Sequence, residues 1–126
     1  MKNLLLDTHV LLWALGSPDD LSADTREAIA DPANEVFVSA ATAWEMSIKA
    51  AIGKLRVPSD LDERMRELRF RPLPITFAHA TAVRDLPLRH RDPFDRMLVV
   101  QAKAHGFTLV TADKAIMQYD VPTMAA

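Results

Sequence analysis

Short continuous runs of apolar residues alternate along this chain with longer stretches whose apolar positions recur every three to four residues. Asn3–Leu6, Glu35–Val38 and Phe107–Thr111 have the first character and read as strands. His9–Leu15, Ser22–Asp31, Ala40–Ala51 and residues 93–105 have the second and read as helices. Punctuation agrees with these limits. Ser22 and Ser39 are cap residues, Gly16, Gly53 and Gly106 follow helix ends, and Pro93 opens its helix at a first helical position. Ser59-Asp60-Leu61-Asp62 approximates a capping box and starts a charged helix that should run to about Phe70. The remaining expectations are a short strand at Leu73–Ile75, a helix at Thr76–Arg84, a loop at Leu86–Arg91, a helical turn at Ala112–Gln118 and a last strand at Val121–Thr123.

Strands that are apolar throughout, separated by helices, form a parallel sheet covered on both faces. The expected fold class is α/β, a three-layer α/β/α sandwich on a central parallel sheet of four to five strands. In such folds sites lie outside the carboxyl ends of the strands, where strand order reverses. Asp7 and Asp113 both stand at that end of a predicted strand. They belong to one sheet edge, at a separation that strand limits alone do not set.

Composition narrows the setting. A chain of 126 residues fits one domain, 1–126, large enough to bury a core of its own. The absence of cysteine removes disulfides, thiolate metal sites and cysteine nucleophiles. Lys2 ahead of an apolar stretch imitates a secretory leader, but Asp7 and His9 interrupt the stretch and no small-residue cleavage site comes after it. No apolar run approaches the ~18 residues of a membrane span. A soluble cytoplasmic protein is expected. The net charge of −2 hides an asymmetry: from Lys54 to Lys103 eleven basic residues face seven acidic ones, while the rest carries four basic and ten acidic. An Arg-rich middle could meet an anionic polymer, or simply form solvated helix faces.

Four acids border apolar elements: Asp7, Glu45, Asp95 and Asp113. A carboxylate half withdrawn from water costs several kcal/mol unless a cation meets it, so their convergence would call for a metal ion. Glu45 falls within the apolar stripe of Ala41, Trp44, Ile48 and Ile52. Asp95 falls on an apolar sector between Leu98 and Ala102, while Arg96 and Lys103 take the far side. Each acid also has a plainer reading. Glu45 precedes Lys49 by four residues, the order of a helical ion pair. Asp92 reads as the cap of the helix that Pro93 opens, with Asp95 as its N3 partner, and Asp7 and Asp113 could each cap the next helix.

Leu4-Leu5-Leu6-Asp7-Thr8-His9, Ser39-Ala40 through Trp44-Glu45, His90-Arg91-Asp92-Pro93-Phe94-Asp95-Arg96 with Gln101-Ala102, and Leu109-Val110-Thr111-Ala112-Asp113 together resemble the motifs of PIN-domain nucleases, most nearly the VapC-type ribonuclease toxins of toxin–antitoxin pairs. The likeness spans essentially the whole chain, in order. Only the ending departs, since Met124-Ala125-Ala126 lacks an aromatic. The resemblance implies metal-dependent hydrolysis of RNA phosphodiester bonds to a 5′-phosphate and a 3′-hydroxyl. It implies Asp7, Glu45, Asp95 and Asp113 as both the catalytic and the metal-holding acids, with Mg²⁺ or Mn²⁺ as the ion. Thr8, Thr111 and Arg96 would orient ligands or contact phosphate, and Asp92 would remain a helix cap. Hard oxygen donors suit those ions.

His9, His79, His90 and His105 show no paired ligand spacing and read as packing or surface residues. No Gly-rich phosphate loop and no Gly-x-Ser-x-Gly elbow is present. Two alternatives stand beside the nuclease: a non-catalytic Mg²⁺-binding signalling module of receiver type, and a degenerate domain that only binds RNA or antitoxin. These residues do not separate RNA from DNA as the polymer cut. Apolar positions on the first two helices (Val10, Leu11, Trp13, and Leu21, Ala28, Ile29) suggest a homodimer and a groove for an antitoxin segment. An antitoxin Arg or Lys entering the acidic pocket is a further implication of the family.

Overall fold

Five strands, β1 (Asn3–Leu6), β2 (Glu35–Ser39), β3 (Phe70–Leu73), β4 (Thr108–Thr111) and β5 (Thr123–Ala125), pair in parallel in the order β3-β2-β1-β4-β5 in the computed structural model, which describes residues 1–126. The central strand is the most apolar one: Leu4, Leu5 and Leu6 are wholly buried because both faces of β1 are covered. Leu4 and Leu6 pack into one core with Val10, Leu11, Val36, Val38 and Met46. Leu5 packs into the other with Leu98, Val99, Leu109 and Ile116. The two clusters on opposite sides of the sheet make the α/β/α sandwich.

Six helices follow the periodicity: α1 (Thr8–Gly16), α2 (Ala23–Ala30), α3 (Ala40–Ala51), α4 (Leu61–Glu67), α5 (Phe77–Ala82) and α6 (Pro93–His105). Ser22 caps α2 by accepting from the Thr25 amide, Ser39 caps α3 by accepting from the Ala41 amide, and Gly106 ends α6 in the left-handed conformation at φ 70°. None of the helices is long and apolar enough to cross a membrane.

The largest departure from expectation is at α4. Arg69 adopts φ 62° and stops the helix, so Phe70 begins β3 instead of closing α4. The strand therefore lies at Phe70–Leu73, earlier than Leu73–Ile75. Pro72 fits because β3 is an edge strand, where a missing N–H breaks no inner ladder. Asp60 sits at the start of α4 without a side-chain cap bond, so no capping box forms there. The 76–84 helix shortens to α5 and continues as a 3₁₀ turn, Val83–Asp85. Ala112–Gln118 is helical only at Ile116–Gln118, and β5 starts two residues later than expected. The strand order also excludes the receiver-type module, whose sheet runs 2-1-3-4-5.

Candidate active site

Strand order reverses at β1, the first strand of the chain, which has β2 on one side and β4 on the other. The register pairs Leu6 with both Val38 and Val110. Asp7 and Thr111, each one residue beyond those partners, consequently emerge together. The Asp7 amide donates to the Val110 carbonyl at 3.1 Å, and the Thr111 hydroxyl donates to Asp7 Oδ2 at 2.5 Å. The other Asp7 oxygen accepts from the Val10 amide at 2.8 Å and caps α1. Capping and membership of the site are thus compatible, because a carboxylate has two oxygens. Thr111 Oγ1 also accepts from the Asp113 amide at 3.0 Å, and Asp113 Oδ1 accepts from the Ala115 amide at 2.8 Å. These bonds orient the turn after β4.

Glu45 reaches the same place from α3 and is buried. Its burial does not follow the stripe that periodicity suggests: Trp44, Ile48 and Ile52 are 62 %, 41 % and 61 % exposed, and the covered arc is Ala41, Thr42, Glu45 and Met46. The packing of α3 beside α1 and α6 selects that arc. Glu45 Oε1 accepts from the Thr8 hydroxyl at 2.5 Å and Oε2 from Lys49 Nζ at 2.6 Å. The helical ion pair exists, and it lies within the site.

Asp95 enters from the first turn of α6, with Asp92 as the cap that accepts from the Phe94 and Asp95 amides at 2.9 and 3.1 Å. Together, Asp7, Thr8, Glu45, Lys49, His90, Asp92, Asp95 and Asp113 line a cleft of about 420 Å³. The electrostatics register the crowding. Burial, then Asp92, raises the Asp95 carboxyl to about 7, with Glu45 and Asp7 adding to the rise and His90 opposing it. Burial likewise raises Asp7 above the usual carboxylate range, against the lowering effect of its Thr111 and Val10 hydrogen bonds. Lys49 is raised by its hydrogen bond to Glu45. A cleft in which carboxylates are forced upward is short of positive charge, and its donors are hard oxygens. This donor set fits Mg²⁺ or Mn²⁺.

Two residues differ from their sequence reading. His90, expected in packing or at the surface, has Nε2 2.9 Å from Asp95 Oδ2 and 3.0 Å from Asp113 Oδ2. Its adjacency to the Asp92-Pro93-Phe94-Asp95 block was the available signal. Arg96, expected to orient ligands, turns to the chain itself: it donates to the carbonyls of Val83, Leu86, Pro87 and His90 and to the Tyr119 hydroxyl, at 3.1 to 3.4 Å. Other arginines of the basic middle are similarly engaged. Arg64 donates to the Leu15 carbonyl and Arg71 pairs with Glu35 at 3.1 Å. Val10 and Leu11 of α1, and Leu21 just before α2, are closed into the core, while Ala14 and Ile29 border an apolar groove of about 520 Å³ with Leu68 and Phe70.

Residues 4–122 match the family model of the PIN domain. The chain belongs to that family. This PIN domain is 32 % identical to ribonuclease VapC22 of Mycobacterium tuberculosis over 97 % of its own length and 95 % of the relative's. Its fold is similar to that in the crystal structure of VapBC2 from Rickettsia felis bound to a promoter DNA fragment, with a TM-score of 0.72 at 14 % identity over 98 % of each chain. It is also similar to that of DNA-bound VapBC from Salmonella typhimurium, at TM-score 0.68 and 15 % identity over 99 % of this chain and 98 % of that one.

Proposed function

We propose that this PIN domain is a divalent-metal-dependent endoribonuclease and the toxin of a toxin–antitoxin pair, acting in the cytoplasm as a single domain. The observation that carries the reading is the convergence of Asp7, Glu45, Asp95 and Asp113, from four separate elements, on one cleft at the carboxyl edge of the sheet. Similarity to a curated ribonuclease over nearly the full length supports RNA as the substrate.

Asp7, Glu45, Asp95 and Asp113 would hold Mg²⁺ or Mn²⁺. When bound, the ion supplies Lewis acidity toward phosphoryl oxygen and a lowered pKa for water. The remaining work falls to the chain. Thr111 and the Val10 amide orient the Asp7 carboxylate, and Thr8 and Lys49 do the same for Glu45. Lys49, with its side chain 40 % exposed, stands at the cleft and can meet a phosphate oxygen. The antitoxin and a second copy of the chain are the partners proposed by analogy with the VapBC complexes. The groove beside Ile29 and Phe70 fits an apolar antitoxin segment.

The test is cleavage of single-stranded RNA, with a DNA strand of the same sequence alongside, by wild type and Asp7→Asn in Mg²⁺, Mn²⁺ or EDTA. Asn preserves the cap of α1 and removes the charge. Cleavage of RNA should require the ion and fall at least roughly a hundredfold in the variant, in line with the electrostatic contribution expected of such a group. Activity that survives both chelation and the substitution sinks the mechanism.

A further inference from the structure

Three candidate ligand atoms lie within 4.8 Å of one another in this molecule, and one of the three is nitrogen: His90 Nε2, with oxygens of Asp95 and Asp113. Its contacts of 2.9 and 3.0 Å match the spacing of adjacent donors around a six-coordinate ion, about 3 Å for bonds of ~2.1 Å. The ring is held in place by its backbone. The His90 amide donates to the Tyr119 hydroxyl at 3.0 Å and its carbonyl accepts from Arg96 at 3.4 Å, while the neighbouring Arg89 amide donates to the same hydroxyl at 3.1 Å. His90 Nδ1 accepts from the Asp92 amide at 3.5 Å, the outer limit of a hydrogen bond. With no ion bound, Nε2–H faces the two carboxylates as their donor, and a divalent ion seated among the three groups would take the place of that proton.

The other close histidine pair provides the contrast. His79 and His105 approach to 3.1 Å through Nε2, but no third ligating side chain joins them. That pair is a hydrogen bond between rings and makes no ligand set.

We infer that His90 is a ligand of the divalent ion, so that the site offers mixed nitrogen and oxygen donors and favours Mn²⁺, or a later first-row ion, over Mg²⁺. The inference rests on the metal-dependent reading above and adds a donor to it. Imidazole contributes more to transition-metal affinity than to Mg²⁺ affinity, since Mg²⁺ prefers oxygen. Losing even an outer-shell partner commonly costs roughly 10–100-fold in affinity, so losing this ligand should weaken Mn²⁺ at least about tenfold and Mg²⁺ less.

The experiment is pulsed electron paramagnetic resonance of Mn²⁺ bound to the full chain, with Mn²⁺ and Mg²⁺ isotherms for wild type, His90→Gln and Asp95→Asn. The expected result is ¹⁴N modulation from a coordinated imidazole in wild type, its loss in His90→Gln, and a Mn²⁺-over-Mg²⁺ preference that falls with it. Bound Mn²⁺ without ¹⁴N modulation overturns the inference, as does modulation that persists in His90→Gln. Tighter Mn²⁺ binding by His90→Gln would make the ring a plug that the ion displaces, and overturns it as well. The wild-type spectrum alone decides the matter if the variant does not fold. Failure of the metal reading itself looks different: wild type and Asp95→Asn would then share one isotherm, or none.

Discussion

Asp95 combines two roles that pull against each other: an amide-capped position at the start of α6 and a seat among like charges. Folded, its carboxyl titrates at about 7 against a usual value of 3.8, so between those limits the folded chain binds more protons than the unfolded one. Stability from this group is therefore present at low pH and lost as pH rises toward 7. Asp7 acts in the same direction, and His79, lowered by burial, acts oppositely below its ordinary 6.5. Comparing variants isolates Asp95. In EDTA, the melting temperature of Asp95→Asn minus that of wild type should increase from pH 5 to pH 8. Adding Mn²⁺ at pH 7.5 should then raise wild type more than the variant, since the ion binds only the folded state. A difference that is flat with pH would show that crowding at Asp95 costs nothing. The placement of Asp7 at the end of an apolar strand made its position at the cleft legible. His90 was marked only by its nearness to the Asp92-Pro93-Phe94-Asp95 block, since its contacts are with carboxylates five and twenty-three positions away.

At the scale of elements, the Val83–Arg91 segment has little regular structure beyond one 3₁₀ turn and is organised from outside by Arg96. One guanidinium serves four carbonyls and a hydroxyl, a geometry that a single ammonium does not reproduce. Arg96→Lys should cost about 1–2 kcal/mol in urea unfolding, from carbonyls left without partners. Because His90 hangs from this segment, the same variant should weaken Mn²⁺ binding although Arg96 makes no contact with the carboxylates. Unchanged stability would mean that the clamp is redundant. Helix and strand existence was legible from periodicity and caps, at α2, α3 and α6 above all. The α4–β3 boundary was not, because a left-handed Arg69 carries none of the composition of a glycine turn. The exposed side of α3 was misread for a related reason: Trp44, Ile48 and Ile52 form a proper apolar stripe, and burial went instead to the arc that α1 and α6 cover.

For the whole molecule, charge and apolar surface divide between the two ends of function. The acidic cleft lies at the carboxyl edge of the sheet, while apolar surface remains at the Trp44–Ile48–Ile52 stripe and in the groove beside Ile29 and Phe70. Co-expression with the proposed antitoxin should yield a complex on purification whose RNA cleavage is suppressed. Free chain, fully active in the presence of the antitoxin, would argue against the pairing. By itself the sequence determined the parallel α/β class, the strand-end placement of Asp7 and Asp113, and the caps of the main helices, because period, propensity and capping are local properties. The order β3-β2-β1-β4-β5, the meeting of Thr111 with Asp7 and of Thr8 with Glu45, the insertion of His90 between two carboxylates and the withdrawal of Arg96 into the chain were decided by tertiary structure alone. Each depends on which distant elements become neighbours, and that is set by how both faces of β1 are buried.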